Sequence, residues 1–341
     1  MTDLQIGVLL PHFGDDATVP RVVGHAPSLE RLGYRSAWVR DNLAYRPHHF
    51  EPPGRTFVDG FLTLSAISAA TTTLGLGTAV TIPFRPPAVT AQLCGSLCWL
   101  APGRVEFGMG FGSPRPAFEA VGTAFPDRFA RCDETLELVR RLGGRSEADD
   151  PDDATVDDCV PAIDPAPAAD LRIWFGGASD RSLRSALRWC DGLLLARADL
   201  TTIATVRERA AAMDTTGREP IRLGTVALML PGRTHEEALR DVDESRLLDE
   251  LGKVNRRDYS NVREARGAVL AGSMDDIAAG LGSLADAGAE LVVVDLRLTM
   301  DRFEEWTTAL GEALLDRPSP QVPRTPGSAT YSSASTGRAD S

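Results

Sequence analysis

The chain has 341 residues, 43% hydrophobic and 25% charged, which is typical of a globular protein with one large domain or two ordinary ones. Its formal net charge of −12 argues against nucleic acid as a partner, because phosphates dominate that kind of binding. No run approaches the roughly 20 consecutive apolar residues of a membrane span. The N-terminal MTDLQIGVLL carries an acid where a signal peptide needs cations, so we expect no membrane segment and a cytoplasmic location.

The basic residues are almost all arginine, since Lys253 is the single lysine of the chain. This preference is typical of a compositional bias, so one arginine alone carries little functional weight at this stage. The five cysteines are scattered. Cys94 and Cys98 lie four apart on a predicted helix, but no second pair or nearby histidine completes a zinc site. We interpret the cysteines as buried free thiols and expect no metal.

Eight segments have the near-continuous apolar and β-branched composition of buried parallel strands. In chain order they are residues 4–10, 36–40, 74–81, 104–108, 171–175, 191–195, 222–230 and 291–296. Helical periodicity falls between most of them, at residues 86–100, 127–142, 199–213, 234–251, 274–287 and 302–315. This α/β alternation predicts a parallel sheet closed into a (β/α)8 TIM barrel, with a doubly wound sheet as the alternative.

Two stretches do not fit the barrel pattern. Residues 143–170 include seven acids within 147–158 and then Pro161, Pro165 and Pro167. This composition predicts a mobile acidic and proline-rich excursion between the helix at 127–142, which is helix 4 of the barrel, and strand 5 at 171–175. Residues 318–341 are rich in Ser, Thr, Pro and Gly, which predicts a disordered C-terminal tail. The expected organisation is therefore a barrel over residues 1–317, interrupted by the excursion, followed by the tail.

A glycine-rich loop, Gly108-Met109-Gly110-Phe111-Gly112-Ser113, follows the fourth predicted strand. It matches a dinucleotide-binding fingerprint poorly, because prolines stop a helix from opening at once and the motif does not follow the first strand. At the carboxyl end of a barrel strand, glycines instead let a flat ligand lie against bare backbone. The alternative is a tight turn that binds nothing.

A second glycine-rich turn, Gly176-Gly177-Ala178-Ser179, follows the fifth predicted strand. Ser179 is a good N-cap for a helix whose apolar face is formed by Leu183, Ala186 and Leu187. Free N–H groups and the positive end of that helix could hold a phosphate without any lysine. The alternative is an ordinary capped helix. The arginines at 181, 184 and 188 lie opposite the apolar face and are expected to be solvated.

These motifs, in this order, resemble a known family. The matching pieces are residues 6–11, 32–41, 74–80, 101–110 with 118–122 and Arg128, 173–177 and 190–192. Together they resemble the bacterial-luciferase-like flavin-dependent monooxygenases, a barrel family that includes deazaflavin (F420)-dependent oxidoreductases. The resemblance covers residues 5 to about 315 apart from the acidic excursion.

The resemblance implies a flavin standing in the barrel mouth. Its phosphate would lie toward Gly176, Gly177 and Ser179, and its ring would lie over the end of strand 3. The cofactor-binding residues implied in this way are Thr78, Ala79, Val80, Gly110, Gly112, Gly176, Gly177 and Ser179. The family also implies a non-proline cis peptide at Ala79–Val80.

The function implied is a monooxygenase that uses reduced FMN and O2 to oxygenate a small organic substrate. Apart from Gly108–Ser113, no glycine-rich turn in the sequence is followed about 20 residues later by the acid of a dinucleotide site, so we expect reduced FMN to arrive from a separate flavin reductase. The resemblance also implies a homodimer, for which residues 59–70 and 86–100 are sufficiently apolar. One alternative is an F420-dependent hydride-transfer oxidoreductase, which would need room and donors for a long anionic tail. Another is a non-catalytic flavin-binding protein.

The chain departs from the luciferase pattern at three positions. Asn42 stands where luciferases carry a histidine, Phe111 where they carry a phosphate-binding arginine, and Gly110 where they carry a reactive cysteine, so light emission has no support. The catalytic candidates are Asp41, His12 and Asn42, with His48 and His49 as further acid–base candidates. Residues 42–60 and 110–126 are expected to shape the substrate pocket through Tyr45, Phe50, Phe57, Phe111 and Phe118.

Overall fold

The computed structural model describes residues 4–43, 45, 51–113, 115–144, 163–214 and 220–315. Its strands are β1 Gln5–Leu9, β2 Ser36–Val39, β3 Gly75–Thr78, β4 Val105–Gly110, β5 Arg172–Gly176, β6 Gly192–Ala196, β7 Arg222–Pro231, β8 Val269–Gly272 and β9 Leu291–Asp295. Its α-helices are α1 Ala26–Arg31, α2 Gly60–Ala70, α3 Pro87–Leu100, α4 Arg115–Ala120, α5 Arg128–Leu142, α6 Asp180–Trp189, α7 Leu200–Met213, α8 His235–Leu239, α9 Glu244–Asn255, α10 Met274–Asp286 and α11 Phe303–Leu310.

Eight of these strands form a closed parallel barrel. Strands β1 to β7 pair in chain order, β7 pairs with β9, and β9 pairs back with β1. The predicted (β/α)8 barrel is confirmed, and all eight predicted segments are barrel strands. The doubly wound alternative is wrong, because a doubly wound sheet has two free edges and this ring is closed.

Two tryptophans fill the barrel interior because glycines on neighbouring strands leave room for them. The rings of Trp38 and Trp174 are fully buried, with centroids 6.5 Å apart. A Cβ on Gly77 would lie 2.3 Å from the Trp38 ring, and a Cβ on Gly192 would lie 2.4 Å from the Trp174 ring. Each indole N–H is satisfied: Trp38 donates to Ser36 Oγ at 2.7 Å and Trp174 donates to the Glu106 carboxylate at 2.8 Å. This packing closes the barrel below the mouth.

The structure corrects two sequence-based expectations. Strand β8 was not predicted; it is four residues long and pairs with Leu228–Pro231 at the end of β7, outside the barrel ring. The single helix expected at 234–251 is two helices, α8 and α9, because the Asp243 side chain accepts from the backbone N–H of Arg246 and starts a new helix there.

Much of the expected acidic excursion and all of the expected tail lie outside the described residues, at 145–162 and 316–341. Within the described part, no helix is long and apolar enough to cross a membrane. Cys94, Cys98, Cys132 and Cys190 are free thiols, and the first three are buried. No group of three or more His, Cys, Asp or Glu side chains is placed to hold a metal ion in the ranges that the structure covers.

Candidate active site

The carboxyl end of β3 lies at the centre of one side of the barrel mouth. The Ala79–Val80 peptide bond is cis, as the family resemblance implied. Thr78, the residue before this bond, is held to β4 by its side chain. Its hydroxyl donates to Gly108 O at 2.9 Å and accepts from Gly108 N at 2.8 Å. Ala79 and Val80 remain partly exposed. They are therefore available as a surface for a ligand.

The glycines of the two loops prevent clashes with atoms of Thr78 and Val80. A Cβ on Gly108 would lie 1.9 Å from Thr78 O, and a Cβ on Gly110 would lie 2.8 Å from a Val80 methyl group. A Cβ on Gly176 would lie 3.0 Å from both Val80 methyl groups. The predicted cofactor residues on β3, β4 and β5 thus come together around Val80.

The turn after β5 has the expected cap. Ser179 is the N-cap of α6 and accepts from the backbone N–H of Ser182 at 3.1 Å. Gly177 has a φ of +131°, and a Cβ there would lie 2.6 Å from Ser182 Oγ, so glycine is required on both counts. Gly112 likewise has a positive φ of +72°. Gly177 and Ser179 therefore present backbone and hydroxyl groups at the start of α6, beside the end of β5.

Three arginines gather on aromatic rings next to this turn. We call Arg115, Arg128 and Arg181 the arginine cluster. The Arg115 and Arg128 guanidinium carbons lie 4.6 and 3.7 Å from the Phe125 ring centroid, and those of Arg128 and Arg181 each lie 3.9 Å from that of Phe129. Phe111, at 4.8 Å from Phe129 and 5.0 Å from Phe175, joins the cluster to the glycine loop.

The arginine cluster carries positive charge that the described residues do not neutralise. No described carboxylate forms an ion pair with any of its three members. Burial and the neighbouring charges of Arg115 and Arg181 lower the pKa of Arg128. The buried Nε of Arg128 has no hydrogen-bond partner within the described ranges. Such an orphaned donor among like charges fits an anionic ligand.

Asp41 is buried and held by an arginine that sequence reasoning did not identify. Arg85 donates to both carboxylate oxygens of Asp41, at 2.6 and 3.0 Å, and to Asp59 at 2.7 Å. Burial raises the pKa of the Asp41 carboxyl, against the effect of the Arg85 hydrogen bonds. The bidentate geometry identifies an ion pair that fixes the carboxyl end of β2. Asn42 follows and is half-buried.

His12 is fully buried and both of its ring nitrogens are engaged by backbone. Nδ1 lies 3.0 Å from Leu10 O, and Nε2 lies 3.0 Å from Arg40 O and 3.1 Å from Arg40 N. Burial lowers the pKa of His12 to about 4. The ring is therefore neutral near pH 7 and joins the ends of β1 and β2.

A second set of charged residues lies at the mouth, and sequence reasoning missed it as well. Arg40 follows β2, Arg197 follows β6, and Arg297 comes two residues after β9. Arg297 donates to Glu51 at 2.7 Å and to Asp295 at 2.7 Å, and Arg40 donates to Glu51 at 2.8 Å. Their position directly after barrel strands was the signal available in the sequence.

The expected aromatic pocket residues divide into two groups. Phe57 and Tyr45 pack with Phe13 near the end of β1, with centroids 5.7 to 6.1 Å apart. Phe118 is fully buried against Phe84 and supports the glycine loop from behind. His48, His49 and Phe50 lie outside the described residues. A separate cavity of about 210 Å³, lined by Arg104, Leu171 and others, opens at the amino ends of β4 and β5, which is the face that supports stability in barrel enzymes.

The closed ring of parallel strands with surrounding helices defines a (β/α)8-barrel protein, and its candidate site lies at the carboxyl ends of the strands. A family model described as luciferase-like monooxygenase matches residues 4–302. The chain therefore belongs to the luciferase-like monooxygenase family.

Several known proteins are similar to this chain. The F420-dependent hydroxymycolic acid dehydrogenase of Mycobacterium tuberculosis is 29% identical over 224 residues, which are 64% of this chain and 60% of that protein. The chain spans only about three fifths of the length of the first curated relatives that it matches, at 63% and 60%.

Solved structures share the fold. An F420-dependent secondary alcohol dehydrogenase in complex with an F420-acetone adduct superposes with a TM-score of 0.68 at 17% identity, covering 91% of this chain and 98% of that one. The monooxygenase RslO1 from Streptomyces bottropensis superposes with a TM-score of 0.66 at 19% identity, covering 92% and 99%.

Proposed function

We propose that this enzyme is an F420-dependent oxidoreductase acting on a small organic substrate. The observation that carries this proposal is the arginine cluster beside the Gly177–Ser179 turn. One phosphate can be held by the turn itself, whereas three arginines lacking carboxylate partners in the described part of the chain suit a longer anionic tail. F420-dependent relatives support the same cofactor.

Different residues at the mouth would hold different parts of the cofactor. The Ala79–Val80 segment, flanked by Gly110 and Gly176, would support one face of the ring. The turn before α6 would bind the phosphate through backbone N–H groups and Ser179. The arginine cluster would hold the tail. When bound, F420 supplies two-electron hydride-transfer chemistry.

The remaining mouth residues would orient the substrate and limit the access of water. The Phe13, Tyr45 and Phe57 rings form an apolar wall on the β1–β2 side. Asn42 stands where luciferases carry a histidine, and its amide can donate and accept hydrogen bonds without titrating. The Asp41–Arg85 and His12–Arg40 contacts keep the ends of β1 and β2 in place.

The second candidate is the FMN-dependent monooxygenase that the sequence first predicted. The Gly177–Ser179 turn favours it, because that turn alone suffices for the single phosphate of FMN. In that case reduced FMN would come from a separate flavin reductase, O2 would be the co-substrate, and Gly177→Val would block the phosphate.

The experiment that tests the cofactor is a pair of titrations of the purified protein with F420 and with FMN, followed by fluorescence. We expect tighter binding of F420. Arg128→Gln and Arg181→Gln should each weaken F420 binding by about 10- to 100-fold, as expected for one lost charge-assisted contact of about 1.5–3 kcal/mol. FMN affinity should change less.

The matched control is Arg188→Gln, on the exposed last turn of the same helix, which should bind F420 like the unaltered protein. If FMN binds more tightly than F420, and if both cluster variants keep full F420 affinity, the FMN-dependent monooxygenase replaces this proposal.

A further inference from the structure

The turn between β5 and α6 is held by an arginine of the following helix. Arg209, on α7, donates from one guanidinium nitrogen to Ala178 O at 3.0 Å and from another to the Asp180 carboxylate. The Arg209 side chain is 37% exposed and that of Asp180 is 63% exposed. One guanidinium group therefore binds both a carbonyl and a carboxylate of the same turn.

The contact with Ala178 O fixes the direction of the peptide group that joins Ala178 to Ser179. This peptide bond is trans. In a trans peptide, the carbonyl and the N–H that follows it point in opposite directions. Because Ala178 O is turned toward Arg209, the Ser179 N–H points away from α7.

The N–H groups at the start of α6 are available to a ligand. Within the described part of the chain, the backbone N–H groups of Ser179, Asp180 and Arg181 donate to no protein acceptor. The next N–H, of Ser182, is satisfied by the Ser179 side chain. The first turn of a helix leaves such donors unpaired, and they are the groups that bind phosphate at helix N-termini.

An anion at these N–H groups would be repelled by both of the oxygens that Arg209 binds. A carboxylate on the first residue of a helix competes with a bound phosphate for the same positive end of the helix. The hydrogen bond from Arg209 lowers the pKa of Asp180, so this carboxylate is charged at neutral pH. Arg209 pairs with that charge and keeps the Ala178 carbonyl on the side of α7.

We propose that Arg209 is a positioning residue for the cofactor phosphate, because it directs the Ser179 N–H to the phosphate and holds two repelling oxygens away from it. The inference rests on the proposed function in taking the Gly177–Ser179 turn as the phosphate site, which F420 and FMN would share. Arg209 itself does not contact the phosphate, since its guanidinium group lies on the opposite side of the peptide group from the Ser179 N–H. It therefore contributes to the affinity for the phosphate and not to the affinity for the flavin ring.

The inference is tested by comparing FMN with riboflavin, which differ only in the phosphate. Fluorescence titration of the purified protein gives both dissociation constants, and the ratio of the riboflavin constant to the FMN constant measures phosphate recognition. The unaltered protein should have a ratio well above one. Arg209→Gln should lower this ratio about five- to tenfold by weakening FMN binding, with the riboflavin constant unchanged within twofold. A loss of local structure alone would weaken both ligands.

The matched control is Arg207→Gln. Arg207 is exposed on the same helix, and its side chain has no hydrogen bond or ion pair within the described ranges, so the ratio should not change. Arg209→Lys keeps the charge but not the two-pronged geometry, and it should retain part of the ratio. Asp180→Asn removes one of the repelling groups, so Arg209→Gln should lower the ratio less in that background.

A ratio that is equal in Arg209→Gln and the unaltered protein would overturn the inference. So would a ratio of one in the unaltered protein, or a loss of riboflavin affinity in Arg209→Gln as large as the loss of FMN affinity. These outcomes are separate from the choice of cofactor. If FMN binds more tightly than F420, the proposed F420-dependent activity is wrong, whereas a ratio that falls in Arg209→Gln still supports the role of Arg209.

Discussion

His12 is fully buried between the ends of β1 and β2, and burial lowers the pKa of its ring to about 4. Both of its ring nitrogens are occupied by the backbone at the ends of β1 and β2. Its proposed role as an acid–base group at the mouth is therefore replaced in our proposal by a role in holding Arg40. The neutral ring can accept from the Arg40 N–H through Nε2, and a protonated ring could donate to Arg40 O, so burial is what disfavours protonation.

The pKa of His12 makes the stability of the protein depend on pH. The pKa is about 4 in the folded state and about 6.5 when unfolded, so between these values the unfolded chain takes up a proton that the folded chain does not. Above pH 6.5 this residue does not lower the free energy of unfolding. As the pH falls from 6.5 toward 4, the free energy of unfolding decreases. Urea unfolding should show roughly 3 kcal/mol less stability at pH 4 than at pH 7 from this residue.

His12→Gln should show a smaller loss over that range, while His25→Gln serves as the matched control. The pKa of His25 is also lowered, but His25 is only partly buried and bonds to the Thr307 hydroxyl. A pH dependence that is identical in His12→Gln and the unaltered protein would show that His12 does not titrate in this way.

The arginines mark the limit of what the sequence could show about the site. Composition suggested that a single arginine carries little weight, yet Arg85 and Arg297 bind buried carboxylates and Arg128 stacks on two phenylalanine rings. Whether an arginine meets a carboxylate, an aromatic ring or another arginine depends on residues far away in the chain. Arg297 and Glu51, for example, are 246 residues apart. The Ser179 cap is local, and it was predicted correctly.

At the scale of the elements, the packing of β4 against β3 requires a glycine at position 108. A Cβ on Gly108 would lie 1.9 Å from the backbone oxygen of Thr78, which cannot move aside without shifting β3. We expect Gly108→Ala to lower the free energy of unfolding by at least about 2 kcal/mol, as measured by urea denaturation.

The matched control for Gly108→Ala lies in α10, where a Cβ on Gly282 would meet nothing within 4 Å. Gly282→Ala should raise the stability by about 0.5–1 kcal/mol, because alanine favours a helix interior. Equal stability of the Gly108→Ala and unaltered proteins would mean that β3 and β4 can separate without cost, and that the glycine is there for a ligand alone.

All eight strands of the ring were predicted, including β2 and β3 with four residues each, whereas β8, α2 and α8 were not predicted as separate elements. The eight barrel strands alternate with helices along the whole chain, so their pattern was clear. Strand β8 lies outside the alternating pattern of the ring, so the pattern gave no reason to expect it. Helix α8 has five residues, which is too short for periodicity to distinguish it from the start of a continuous helix. The break between α8 and α9 depends on the cap at Asp243, and a cap residue alone does not show where a helix must stop.

At the scale of the whole molecule, apolar side chains remain exposed on two neighbouring helices. Leu62 on α2 is 70% exposed, and Val89 and Trp99 on α3 are 41% and 69% exposed. We propose that this surface forms the homodimer interface that the family resemblance implied. Sedimentation equilibrium at micromolar concentration should give a dimer, and Leu62→Asp together with Trp99→Asp should give a monomer.

Val19→Asp is the control for that experiment, since Val19 is 75% exposed and lies outside α2 and α3. It should leave the dimer unchanged. A monomer in the unaltered protein, or dissociation caused equally by Val19→Asp, would exclude this surface as the interface.

The long strand β7 contributes to two hydrophobic clusters: Ala227 and Met229 pack in the main core, and Leu228 and Leu230 pack in a second cluster. Its first part, Arg222–Leu228, pairs with β6 and β9 in the ring, whereas Leu228–Pro231 pairs with β8 outside it. Leu228 and Leu230 pack with Leu247, Leu251 and Val269 in a cluster separate from the main core. Residues 232–272 therefore form an annex that shares one strand end with the barrel. A change in the length of this annex would leave the ring of eight strands closed. We therefore expect relatives of this chain to differ in the segment that follows β7 more than in the ring itself.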